Sequence, residues 1–174
     1  MVSVPNPGRS ISSRHVFLSY SHDSFEHSER VLNLANQLRR EGLDAILDQY
    51  EPHPAEGWPR WMQHQIDSAD FVVLVCTASY RRRFEGETFE SGKGIRWESL
   101  LTIQDLYDNS TLNRRIIPVL FEGEPMDSIP RPLRAYTRYL MPKQYEDLYR
   151  RFTNQPLVTK PPLGKIRRMP VKNP

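Results

Sequence analysis

A single cysteine, Cys76, stands in 174 residues, so no disulfide can form within the chain. Five scattered histidines beside it offer no zinc-ligand spacing, and no metal site is expected. No apolar run approaches the roughly 20 residues of a membrane-spanning helix. Nothing ahead of His15 has the order of a signal peptide. A cytoplasmic chain with no membrane partner is expected.

Acid is missing in one telling place. Residues 155–174 hold Lys160, Lys165, Arg167, Arg168 and Lys172 without one Asp or Glu, and residues 1–14 hold Arg9 and Arg14 likewise. The whole chain is +3, but without those seven cations residues 15–154 carry 17 basic against 21 acidic groups, near −4. That balance argues against nucleic acid as the ligand of the globular part, and leaves the tail as a solvated linker able to touch an acidic partner.

Proline and small polar residues collect at the two ends. Residues 1–14 lack periodicity and are expected to be disordered. Residues 155–174 include Pro156, Pro161, Pro162, Pro170 and Pro174, the composition of an extended linker that would join this module to a following one. One domain over 15–154 lies between, long enough to bury a core.

Within it, short apolar runs alternate with helical patterns. A strand is expected over 16–20, and then a helix, capped by Asp23 or Ser24, whose Val31, Leu34, Ala35 and Leu38 recur at i, i+3, i+4 and i+7. Gly42 ends that helix, and a second strand runs over 43–47. A loop over 48–57 leads to a helix over 58–66. The unbroken run at 71–76 reads as a strand buried on both faces. A long polar loop over 77–94, a helix over 95–107, strands over 116–121 and 136–140, and a helix over 144–152 complete the pattern. Strands alternating with helices give an α/β fold: a five-stranded parallel sheet of flavodoxin-like order 2-1-3-4-5 with helices on both faces. Ligands of such sheets sit beyond the carboxyl ends of strands one and three.

Two phosphate-handling readings fail. The glycines at 86, 92 and 94 around Lys93 are spaced one residue too far for a phosphate loop, and Gly94 stands where a Ser or Thr is needed. A phospho-acceptor receiver domain would end its third strand in aspartate, whereas this one ends in Cys76 and Thr77. Cys76, with no base beside it in sequence, reads as an inert core thiol.

The segment His15-Val-Phe-Leu-Ser-Tyr-Ser-His-Asp23, then Gly42-Leu-Asp-Ala-Ile-Leu-Asp48, resembles the opening of TIR domains and, more closely, of their SEFIR relatives. Trp58 and Trp61, and Gly92-Lys-Gly-Ile-Arg-Trp-Glu98, extend the resemblance over about 15–152. It implies one of two functions. The first is cleavage of the nicotinamide–ribose bond of NAD+, with NAD+ as substrate and no cofactor, switched on by self-association in bacterial anti-phage defence. The second is homotypic protein–protein interaction without chemistry.

By the same resemblance Glu98 is the catalytic carboxylate, while Ser19, Tyr20, Ser21, Arg83 and Trp97 line the nucleotide pocket. A lone carboxylate suits the chemistry, because nicotinamide departs from a pyridinium without a general acid and the sugar passes through an oxocarbenium-like state. Where TIR hydrolases carry an aromatic four positions before that glutamate, this chain has Gly94. The competing readings are structural: Glu98 as a helix-dipole residue, Asp23 as a cap, Trp97 as core and the triple arginine 81–83 as a solvated run. The loop 48–57, opened by Asp48 and closed by Gly57, is the expected contact with like domains. Trp61 is expected in the core and Trp58 as its exposed anchor.

Overall fold

The computed structural model describes residues 14–86 and 113–172. The expected helix over 95–107, with Gly94, Trp97 and Glu98, lies outside the described residues, as does the expected N-terminal tail up to residue 13.

Strand β1 (His15–Ser19) feeds helix α1 (Phe25–Arg40), then β2 (Asp44–Ile46), α2 (Trp58–Ser68), β3 (Phe71–Val75), α3 (Ala78–Phe84), β4 (Ile116–Phe121), β5 (Tyr139–Met141) and α4 (Tyr145–Thr153). All strand pairs are parallel, in the order β2-β1-β3-β4-β5. The register sets Val16 opposite both Ala45 and Phe71, and Val73 opposite Ile117. The expected order and strand directions are therefore observed.

Period-two alternation divides the core. Val16, Leu18, Val73, Val75, Ile117 and Val119 face one side, against Val31, Leu34, Ala35 and Leu38 of α1 and Leu148 and Phe152 of α4. Phe17, Val72, Leu74, Ile116 and Leu120 face the other, against Trp61 and Ile66 of α2 and Tyr80 and Phe84 of α3. Each fully buried aliphatic side chain contributes about 1.5–3 kcal/mol. Strands buried on both faces need no polar alternation, which is why β3 and β4 are apolar throughout.

Of the two expected caps of α1, Ser24 is the one used: its side chain accepts the His27 amide at 3.1 Å. One local expectation is corrected. The segment after β3 is not all loop, because 78–84 form α3, capped by Thr77 and anchored by Tyr80 and Phe84 one turn apart. At the end of α1, Gly42 adopts φ +90°, a conformation open to glycine at little cost, and turns the chain into β2.

Candidate functional site at the carboxyl edge of the sheet

Three loops meet beyond the carboxyl ends of β1, β2 and β3, where the strand order reverses. The β1 loop is stitched to the start of α3. Ser19, 3% exposed, shares a hydrogen bond with the Tyr80 hydroxyl at 2.9 Å. Thr77 Oγ1 donates to Asp23 Oδ2 at 2.5 Å and accepts the Tyr80 amide at 3.1 Å. A hydroxyl has one proton, so Ser21 is the donor in its 3.2 Å contact with Thr77 Oγ1. Ser19 and Ser21 are thus buried and hydrogen-bonded inside the protein.

Tyr20 points into the α1 side of the core, where its hydroxyl accepts from Gln49 Nε2 at 2.7 Å. Burial first, and then the negative charge of Asp48, push its pKa above the ordinary phenol range. Gln49 also donates to the Ser28 carbonyl at 3.1 Å, which clips the β2 loop to α1.

His22 stands at the mouth. Its Nε2 meets Asp48 Oδ2 at 2.6 Å and its ring lies 4.7 Å from that of Tyr20. The hydrogen bond to Asp48 raises the imidazole pKa, against burial and against the nearby charge of Arg83. Arg83, on α3, is near enough for its charge to act on that imidazole. His27 behaves oppositely. Its Nε2 is buried without a hydrogen-bond partner, its ring meets Phe121 edge-on at 5.9 Å, and burial lowers its pKa.

The β2 loop opens with a 3-10 turn, Asp48–Tyr50, and closes at Gly57, whose φ of +81° starts α2. Trp58 opens that helix with Pro59 behind it, a position where the missing proline N–H costs nothing. The indole is 40% exposed and stands edge-on to Trp61 at 5.7 Å; Trp61 is buried and edge-on to Phe17 of β1 at 6.0 Å. Trp58, Met62, Pro52, His22, Asp48 and Gln49 line a cavity of about 370 Å³.

The loops expected to flank a site contain His22, Thr77 and Tyr80, but the sequence reading singled out none of these for it, nor Gln49. His22 lay inside the motif already singled out, and Thr77 three residues before Tyr80 carried a capping pattern. Cys76 is buried and donates to the Leu74 carbonyl at 3.3 Å, and burial pushes its thiol up to about 12, so it is inert as expected. Among the described residues no cluster of His, Cys, Asp or Glu could hold a metal ion, and no helix is long and apolar enough to cross a membrane.

A SEFIR domain model matches residues 14–152. The chain belongs to the SEFIR family. A crystal structure of a prokaryotic SEFIR domain is 29% identical with a TM-score of 0.61, covering 87% of this chain and 100% of that one. The SEFIR domain of IL-17 receptor B is 18% identical with a TM-score of 0.57, covering 80% and 94% respectively. A metazoan TIR-STING receptor from C. gigas is 23% identical with a TM-score of 0.56, covering 87% of this chain and 43% of the receptor. These last two share the fold. SEFIR domains engage like domains and need no cofactor.

Proposed function

We propose that this SEFIR domain is a homotypic signalling module whose contact surface is the rim formed by the loop 48–57 and Trp58. The exposed indole of Trp58, braced through Trp61 onto Phe17, is the observation that carries this reading. A large aromatic held in place before contact loses little conformational entropy on binding, the property of an interface anchor. Met62 and Pro52 extend the apolar surface around it. Self-association of the full chain, followed by sedimentation against concentration, tests it. Trp58→Ser is expected to weaken association about tenfold or more, in the range of a hot-spot truncation. Association unchanged by Trp58→Ser overturns the reading.

The polar floor of the same cavity favours a second reading, NAD+ cleavage switched on by assembly in bacterial anti-phage defence. His22, Asp48 and Gln49 supply hydrogen-bonding groups at the sheet edge where nucleotides bind in such folds, with the Arg83 charge near. Glu98 is the carboxylate that would stabilise the sugar cation, and Trp97 is a candidate pocket wall. Ser19 and Ser21 weigh on the other side, since their hydroxyls are buried and engaged with Tyr80 and Thr77. NAD+ consumption by the concentrated domain, beside a folded Glu98→Gln variant, decides it. Turnover lost in the variant supports the enzyme; no turnover in either, even when tethered into oligomers, leaves the interaction module alone.

A further inference from the structure

A second cavity, about 410 Å³, is lined by residues other than those of the crevice. Glu41 caps the end of α1 just before β2 begins at Asp44, which puts it at the amino edge of the sheet. There Tyr145 and Tyr149, one turn apart on α4, stack at 6.2 Å with 28° between their planes. The Tyr145 hydroxyl donates to Glu41 Oε2 at 2.9 Å, and the Tyr149 hydroxyl to the Glu41 carbonyl at 2.7 Å. Both phenol protons are used on Glu41. The cavity then offers two aromatic rings and the carboxylates of Glu41 and Glu146, tempered by Arg150. Carboxylate and aromatic surface together suit a lysine or arginine side chain.

A source of such cations starts at the cavity's own rim. Gln155 lines the cavity, and from there residues 155–172 form no helix or strand and stay exposed throughout. The segment carries five cations and no acid against a body near −4. Its prolines favour an extended course of about 3.1 Å per residue. On that course Lys160 stands about 15 Å from Gln155 and Arg167 about 37 Å along the chain, and both side chains are exposed rather than buried in the chain's own cavity. A tail left exposed is free to reach the same site on a neighbour.

We propose that the cavity framed by Tyr145, Tyr149, Glu41 and Glu146 receives a lysine or arginine from the basic tail of a second copy, joining copies head to tail. Each copy then offers one tail and one cavity, a heterologous contact that builds a ring where the rotation between copies closes and an open row where it does not. The proposal goes beyond the rim reading, using another edge of the domain and a salt-sensitive chemistry.

Sedimentation of the full chain tests it. At about 50 mM salt the mean mass should rise with concentration and fall back at about 500 mM, as exposed charges are screened. Glu146→Lys, and separately Tyr149→Leu, should weaken this step about tenfold. Lys160→Ser, Lys165→Ser, Arg167→Ser, Arg168→Ser and Lys172→Ser combined should do the same. Mixing the tail variant with Glu146→Lys is the decisive arm. One retains a cavity and the other a tail, so together they should form a heterodimer that grows no further. A wild type that stays monomeric at low salt, a cavity or tail variant that associates like wild type, or a mixture that fails to pair overturns the proposal. Trp58→Ser should leave the salt-sensitive step intact; if it alone abolishes association, this proposal falls and the rim reading stands.

Discussion

His22 and Asp48, 26 residues apart in sequence, close the β1 and β2 loops onto each other through a 2.6 Å contact between Nε2 and Oδ2. The pair makes the mouth of the crevice respond to protonation, because an imidazolium binds the carboxylate more strongly than neutral imidazole does.

Two histidines of this edge should titrate in opposite directions. Asp48 raises the His22 pKa, so the stability His22 contributes is fully present below the unfolded value of about 6.5 and is lost as pH rises through the higher folded value. Burial lowers that of His27, so its contribution is present above about 6.5 and is lost as pH falls through the folded value. Imidazole chemical shifts followed by NMR should place His22 above, and His27 below, a free histidine. The stability gap between wild type and His22→Gln should shrink as pH rises; a pH-independent gap would remove the pairing from the account.

Thr77 holds three contacts at once, with Asp23, Ser21 and the Tyr80 amide. Thr77→Val keeps the shape and deletes the cap and both side-chain bonds, and should cost about 1–3 kcal/mol in urea unfolding. Thr77→Ser should recover most of that. Equal losses in both variants would point to packing of the methyl group instead.

The two neighbouring tryptophans should separate stability from contact. Trp61→Ala leaves a hole against Phe17 and should cost about 3–5 kcal/mol. Trp58→Ala should cost less in denaturant unfolding than Trp61→Ala, as Trp58 is 40% exposed where Trp61 is buried. Similar losses would mean that the Trp58 side chain is structural.

Gly42→Ala isolates backbone strain. A Cβ there would meet nothing within 4 Å, so the penalty arises from φ +90° alone and should be about 1–3 kcal/mol. A neutral substitution would show that the turn relaxes into another conformation.

The sheet was legible because strands buried on both faces write continuous apolar runs, as 71–75 do, and because α1 repeats Val31, Leu34, Ala35 and Leu38 on one stripe. Helix α3 was hidden by its outer face. Arg81, Arg82 and Arg83 read as a polar loop, and only the Tyr80 and Phe84 pair, four apart, carried the helical signal. Pro118 in a central strand is a similar puzzle with a positional answer. The carbonyls of Arg115, just before β4, and of Val119 accept from Val72 and Cys76 on the β3 side, so 118 faces the β5 side, below the point where pairing with β5 begins at Val119. The crevice was less readable. Ser19 and Ser21 look equally available in sequence whether they face a ligand or the core, and their partners Tyr80 and Thr77 lie 61 and 56 residues away. Glu98 and Trp97 lie outside the described residues.

The row of edge-on rings from Trp58 through Trp61 to Phe17 also gives the domain an optical gauge. One indole is partly open to solvent and its neighbour is buried in the interior. Covering the rim would shift the emission of Trp58 towards the blue while leaving that of Trp61 unchanged, whereas loosening of the core would disturb both. With Trp97 replaced by phenylalanine, binding and unfolding can thus be told apart by colour, with no label added to the chain.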